Sequence, residues 1–184
     1  MEATDMLMGE HRLIERMLDS LDLAADSLDS GKAVRPGFFI EAAEFIKGFA
    51  DGCHHRKEEG YLFPALIAAG MPRDGGPVNM MLYEHDQGRA FTKAMREAAE
   101  GLQSGDDTAK AAVTQNARGY VALLRTHIHK EDMILFRMAD QVIQGEARDQ
   151  LTADFERVER EDTGAGVHEK YLAMLEGLER EARG

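Results

Sequence analysis

The sequence predicts an all-α protein: an antiparallel up-down-up-down four-helix bundle with an additional helix at its C-terminal end. Three observations carry this. Helix-favouring residues are plentiful and only four prolines interrupt them. No alternating Val/Ile/Thr run bounded by turn residues occurs, so strands are not expected. Apolar residues recur in long stretches at steps of three and four, the inward stripe of a bundle helix. Long helices joined by short loops imply antiparallel neighbours. The 184 residues are enough for one domain with a sizeable core, read as 1–184, with the bundle over about 4–144 and a helical extension over about 146–184.

The first helix is expected from about Thr4 to Asp29, capped by Thr4 or Asp5. Leu7, His11, Ile14, Leu18, Leu21, Ala25 and Leu28 form its inward row, with His11 in a core slot. Gly31 is its stop and Pro36 suits the first turn of the second helix, expected to run to Ala69. There the row is Phe39, Ala43, Ile46, Ala50, His54 and Glu58, and Pro64 is expected to kink or end the helix. After the loop over 70–77, a third helix runs from about Val78 to Gln103, with Val78, Met81 or Leu82, His85, Phe91 and Met95 inward. The fourth, about Thr108 to Ile143, carries Val113, Ala117, Tyr120, Leu124, His127, Glu131, Ile134 and Met138, and Gly145 breaks it. Residues 146–162 read as polar and helical in part, Gly164 and Gly166 as a joint, and Val167 to about Glu181 as a last helix that packs outside the bundle or meets another copy.

The formal net charge of −12 is the wrong sign for binding nucleic-acid phosphates, so no nucleic-acid partner is expected. A single cysteine, Cys53, allows no intrachain disulfide. No stretch approaches the roughly 18 apolar residues of a membrane span, and the first residues do not read as a signal peptide, so a cytoplasmic location without membrane contact is expected.

Two ten-residue stretches are copies of each other. His54-His55-Arg56-Lys57-Glu58-Glu59-Gly60-Tyr61-Leu62-Phe63 and His127-Ile128-His129-Lys130-Glu131-Asp132-Met133-Ile134-Leu135-Phe136 both read His-x-x-Lys-Glu-acidic-x-x-Leu-Phe. Residues four apart on an α-helix lie about 40° apart on one face, so each stretch aims one imidazole and one carboxylate the same way. The duplication extends upstream. Glu10-His11 opens the first half and Glu84-His85 the second, with 43 residues from His11 to His54 and 42 from His85 to His127.

Two such hairpins related by a pseudo-two-fold axis would bring His11, His54, Glu58, His85, His127 and Glu131 into one core. Imidazole and carboxylate suit iron, manganese or zinc. Four His and two Glu are too many for one tetrahedral zinc and suit two octahedral ions with open positions. A lone His-x-x-x-Glu is usually a surface pair, and a lone core histidine is usually just hydrogen-bonded; the duplication is what argues for metal.

The segments HHRKEEGYLFP, EHDQGR and HIHKEDMILF resemble the hemerythrin-like family, the HHE cation-binding domain, over about Met8 to Ala139. The resemblance implies a four-helix bundle holding two non-haem iron ions, with an oxo or hydroxo bridge. It carries over the ligands His11, His54, Glu58, His85, His127 and Glu131, with both glutamates bridging; the donors by themselves also admit manganese or zinc. Oxygen-carrying members place a second histidine four residues after the one on the third helix, where this chain has Arg89. The implied role is therefore closer to members linked to nitric oxide, peroxide, iron sensing or iron–sulfur cluster repair. The expected partner is a small diatomic molecule or peroxide, with a homodimer through the C-terminal helix as a further expectation. The competing expectation is iron storage or an iron-responsive interaction protein with a mainly structural centre. No catalytic residue is assigned.

Around these six, Glu59 and Asp132 are expected to lie behind the ligands or in solvent. Asp132 is a reserve ligand, because oxygen carriers use its five-residue step from His127. His55 is excluded as the ligand of an alternative His55/Glu59 register, because the second copy has Ile128 there. His55 and His129 are expected to be exposed or behind the ligands. Arg89 reads equally as a partner for a core carboxylate or a surface residue. Tyr61 and Tyr120 read as core packing, and His168 lies away from the duplication.

Overall fold

The computed structural model describes residues 2–163 and 166–184, and every element among them is helical. The first helix, α1, is Ala3–Asp29. Its cap is Glu2, two residues before the expected Thr4 and three before Asp5: the Glu2 backbone N–H donates to Asp5 Oδ2 at 3.2 Å. Gly31, with φ at +80°, turns the chain out of the helix in a conformation that only glycine adopts without cost.

The second helix, α2, covers 36–68. It begins as α-helix at Pro36–Phe45, widens to π-helix over Ile46–His55 and again over Glu58–Leu62, and ends as α-helix over Phe63–Ala68. Pro64 neither ends nor breaks it. The π-turn just before it shifts the hydrogen-bond register, with Phe63 N–H donating to the Glu58 carbonyl five residues back, and Pro64 then sits in a fresh first turn where its missing N–H costs nothing. The third helix, α3, is Pro77–Gln103. The fourth, α4, covers 110–142 after a 3₁₀ turn at Asp107–Ala109, and it too widens to π-helix, over Glu131–Leu135.

That π-turn changes which residues point inward. Ile134, expected in the core row, is 54% exposed, whereas Leu135 and Phe136 are buried. One extra residue in the turn advances the register past the 3.6-residue rule on which the expectation rested. On α3, Met81 and not Leu82 is the buried member of its pair.

The helices α3 and α4 lie along each other, α1 packs on α4, and α2 packs on α3 and touches α1. Beyond them, α5 runs from Glu146 to Arg157 and continues as π-helix Val158–Thr163, burying Leu151, Phe155 and Val158. Gly164, half of the expected joint, lies outside the described residues. The last helix, α6, is Val167–Arg183 and turns its apolar face onto α1 and α2 of its own chain. Leu175 and Leu178 are buried there, each worth about 1.5–3 kcal/mol. Arg16 pairs with Glu179 at 2.7 Å and Arg35 with Glu181 at 2.7 Å. Gly48 lets α6 come close: a Cβ there would fall 1.6 Å from the Tyr171 hydroxyl.

The buried apolar residues divide into two clusters. One holds Ile14, Phe38, Ala50, Met95 and Leu124 among others; the second holds Leu7, Leu62, Met81 and Leu135. Along each of the four long helices, the residues separating the clusters are histidine and glutamate: His11, then His54 and Glu58, then His85, then His127 and Glu131. A polar layer thus crosses the middle of the core.

Candidate metal centre

All six of these side chains are buried, none more than 2% exposed. They converge. Glu58 lies between His54, whose Nε2 is 3.5 Å from Oε1, and His85, whose Nε2 is 3.4 Å from Oε2. Glu131 Oε2 lies 3.2 Å from Nε2 of both His11 and His127. Each carboxylate therefore faces one imidazole from each half of the chain. Both glutamates open a π-turn, Glu58–Leu62 and Glu131–Leu135, so the two halves share backbone geometry as well as sequence.

The outer nitrogens are fixed in a matching way. His54 Nδ1 donates to Glu10 Oε2 at 2.9 Å and His127 Nδ1 to Glu84 Oε2 at 2.9 Å. His11 Nδ1 donates to Asp132 Oδ1 at 2.7 Å and His85 Nδ1 to Glu59 Oε1 at 2.7 Å. With Nδ1 carrying the proton, Nε2 presents its lone pair to the centre. The lysines of the two motifs close the arrangement: Lys57 bonds Glu10 and Glu159, and Lys130 bonds Glu84. Glu10, Cys53 and Glu159 also gather as a group of potential ligands, but the Lys57 ammonium already pairs with both carboxylates.

Asp132 is thereby corrected from a reserve ligand to a support: its Oδ1 is committed to His11, and Arg12 binds its other oxygen. Arg89 is half-exposed and joins Glu59 at 2.5 Å and Asp51 at 3.4 Å. His129 is exposed, while His168 packs edge-on to Phe49 with centroids 5.4 Å apart. Tyr120 is buried, and Tyr61 lies under the Arg157 guanidinium. His55 differs most from expectation. It is buried, it stacks on His85 with ring centroids 3.9 Å apart, and it donates from Nδ1 to Asp51 at 2.8 Å. The duplication concealed it, because Ile128 occupies the matching place.

The electrostatics are those of a site that wants a cation. Burial pushes the Glu58 carboxyl well above the usual range, and the Glu131 charge pushes it further. Burial also opposes the Glu131 charge, but His127 and His11 outweigh it and hold that carboxyl low. Burial would lower His127, yet Glu131 and Glu84 raise it to about 9. Burial, aided by His11, lowers His54 to about 4. At the centre, His11 Nε2, His54 Nε2 and both oxygens of Glu58 and Glu131 are buried without any hydrogen-bond partner. Stranding so many polar atoms costs several kcal/mol unless something binds them. His11, His54, Glu58 and Glu131 place one ligand atom each within 4.8 Å of one another, and so do His55, Glu58, His85 and His127. The residues fit metal.

The chain matches the family described as Hemerythrin HHE cation binding domain over residues 2–139. It belongs to that family.

Outside that match the likenesses are more distant. Uncharacterised proteins of Mycobacterium tuberculosis and Mycobacterium bovis are each 24% identical over 183 residues, which is 97% of this hemerythrin-like chain and 69% of theirs. An iron–sulfur cluster repair protein of Musicola paradisiaca is 33% identical over 97 residues, 51% of this chain and 42% of that protein. No solved structure matches. Metal binding by a helical hemerythrin-like bundle is thus the role that family and geometry support together. Among the described residues, no helix is long and apolar enough to cross a membrane.

Proposed function

We propose that His11, His54, Glu58, His85, His127 and Glu131 hold two iron ions, and that the centre binds or reacts with a small oxidant: O₂, NO or peroxide. In this reading the four long helices run up-down-up-down around the centre, with α6 outside them. The observation that carries it is the placement of the two glutamates, each facing one imidazole of either half with both oxygens otherwise unpartnered. A carboxylate so placed is suited to bridge two ions, and imidazole-carboxylate donor sets suit iron. The chemistry bound ferrous iron supplies is electron transfer to the oxidant.

The protein's own groups set the conditions. Glu10, Glu59, Glu84 and Asp132 hold the imidazoles as Nε2 donors. The apolar clusters above and below keep bulk water from the layer, and Phe136 stacks on the His11 ring at 5.4 Å. Similarity to an iron–sulfur cluster repair protein over part of the chain supports a role connected with iron–sulfur cluster repair. One observation favours a second reading, in which the metal is mainly structural and the protein stores or responds to iron: the six side chains are almost completely enclosed.

Metal analysis of the purified chain and of His54→Ala and Glu131→Ala tests the ligand set, with about two ions per chain expected and both variants depleted. Rapid mixing of the reduced protein with O₂, NO and peroxide then separates the readings. A stable new absorption band with O₂ or NO marks binding, and repeated loss of peroxide marks turnover. No response to any of the three leaves the structural reading.

A further inference from the structure

We infer that His55 is a fifth imidazole ligand, which makes the two metal positions chemically unequal. The inference rests on the proposed dimetal reading and deepens it.

Three observations support the assignment. His55 is 3% exposed, and its Nε2 is buried with no hydrogen-bond partner. It lies in one group with Glu58, His85 and His127, each offering a ligand atom within 4.8 Å of the others. Its outer nitrogen is held as the other four imidazoles are: Nδ1 donates to a carboxylate, here Asp51 at 2.8 Å, which leaves Nε2 as the free donor.

The backbone explains how adjacent residues reach one site. His54 and His55 end the π-helical stretch Ile46–His55, whose wider turn brings neighbours closer in angle than the roughly 100° of an α-helix. Asp51 is in turn tied to Arg89 at 3.4 Å. Arg89 therefore reaches both acids that orient the His55 and His85 rings, Asp51 and Glu59.

The consequence is asymmetry. One position has His11 and His54 for its imidazoles; the second has His55, His85 and His127. With the glutamates shared, the position held by His11 and His54 would have one imidazole fewer than the position held by His55, His85 and His127. A stacked ring that never touches metal is the competing account.

Nitrogen-15 NMR of histidine-labelled protein, titrated with zinc as a diamagnetic probe, decides between them. The chain has seven histidines. Five Nε2 signals are expected to move on loading, and the His55→Gln spectrum assigns the fifth. Four moving signals with His55 unchanged overturn the inference while leaving the dimetal reading intact. If none moves, the dimetal reading falls and the inference with it. Because the count is made on the wild-type chain, it stands even if the variant folds poorly.

Discussion

Glu10 and His54 are 44 residues apart in sequence, and their side chains meet at 2.9 Å in the core. Glu84 and His127 repeat the relationship 43 residues apart at 2.9 Å. Burial alone would raise the Glu10 carboxyl, but His54 and Lys57 outweigh it and hold it at about 2. Glu10 is therefore a carboxylate at neutral pH and accepts the hydrogen bond that His54 Nδ1 donates, which fixes the ring with Nε2 inward.

Removing that acceptor weakens the centre without touching a ligand. Glu10→Ala and Glu84→Ala are each expected to lower metal affinity by roughly 10–100-fold. Competition with a chelator of known affinity measures it. Unchanged affinity in both variants would show that the imidazoles are oriented by packing alone.

The two motif lysines occupy different environments and predict different costs. Lys57 is fully buried between Glu10 and Glu159, so Lys57→Met strands a buried carboxylate and is expected to cost about 3–5 kcal/mol. Lys130 is 31% exposed, and Lys130→Met is expected to cost about 1 kcal/mol or less. Urea denaturation of the metal-free proteins measures both.

Metal uptake is expected to strengthen with pH. In the metal-free protein His127 is raised from 6.5 to about 9, so its imidazolium contributes stability that is fully present below about 6.5 and is lost as pH rises through about 9. Metal needs the neutral ring, so loading at pH 7 must expel that proton. An indicator dye in weak buffer should record the release, and His127→Ala should release less. Proton release equal to that of the wild type would place the charge elsewhere.

Gly48→Ala drives a methyl group into the Tyr171 hydroxyl and should loosen α6 from α2, at about 1–3 kcal/mol. Adding Tyr171→Ala should recover part of the loss. Thermal melts of the single and double variants test this coupling. Additive losses would mean that the two residues do not meet.

Much of the centre is legible in the chain because it was written twice. The motif copies and the near-equal spacing from His11 to His54 and from His85 to His127 single out six residues from the chain alone. The supports repeat as well, in Glu10 and Glu84, Glu59 and Asp132, and Lys57 and Lys130. Their roles did not follow, because spacing along a helix gives the face of a residue but not the partner it meets across the core. His55 escaped for the opposite reason: it has no copy.

The sequence by itself determined the helices, the inward rows as far as each glutamate, and the six side chains of the polar layer, since these follow from local periodicity. Only the tertiary structure decided what lies past Glu58 and Glu131, where the chain widens into π-turns. There Leu135 replaces Ile134 in the core. Tertiary structure also decided that His55 faces inward beside His54. A hydrophobic period fixes direction most firmly while the turn stays at 3.6 residues: Ile46, Ala50 and His54 keep their face through the first π-helical stretch, but past Glu131 the extra residue in the turn moves the period on by one.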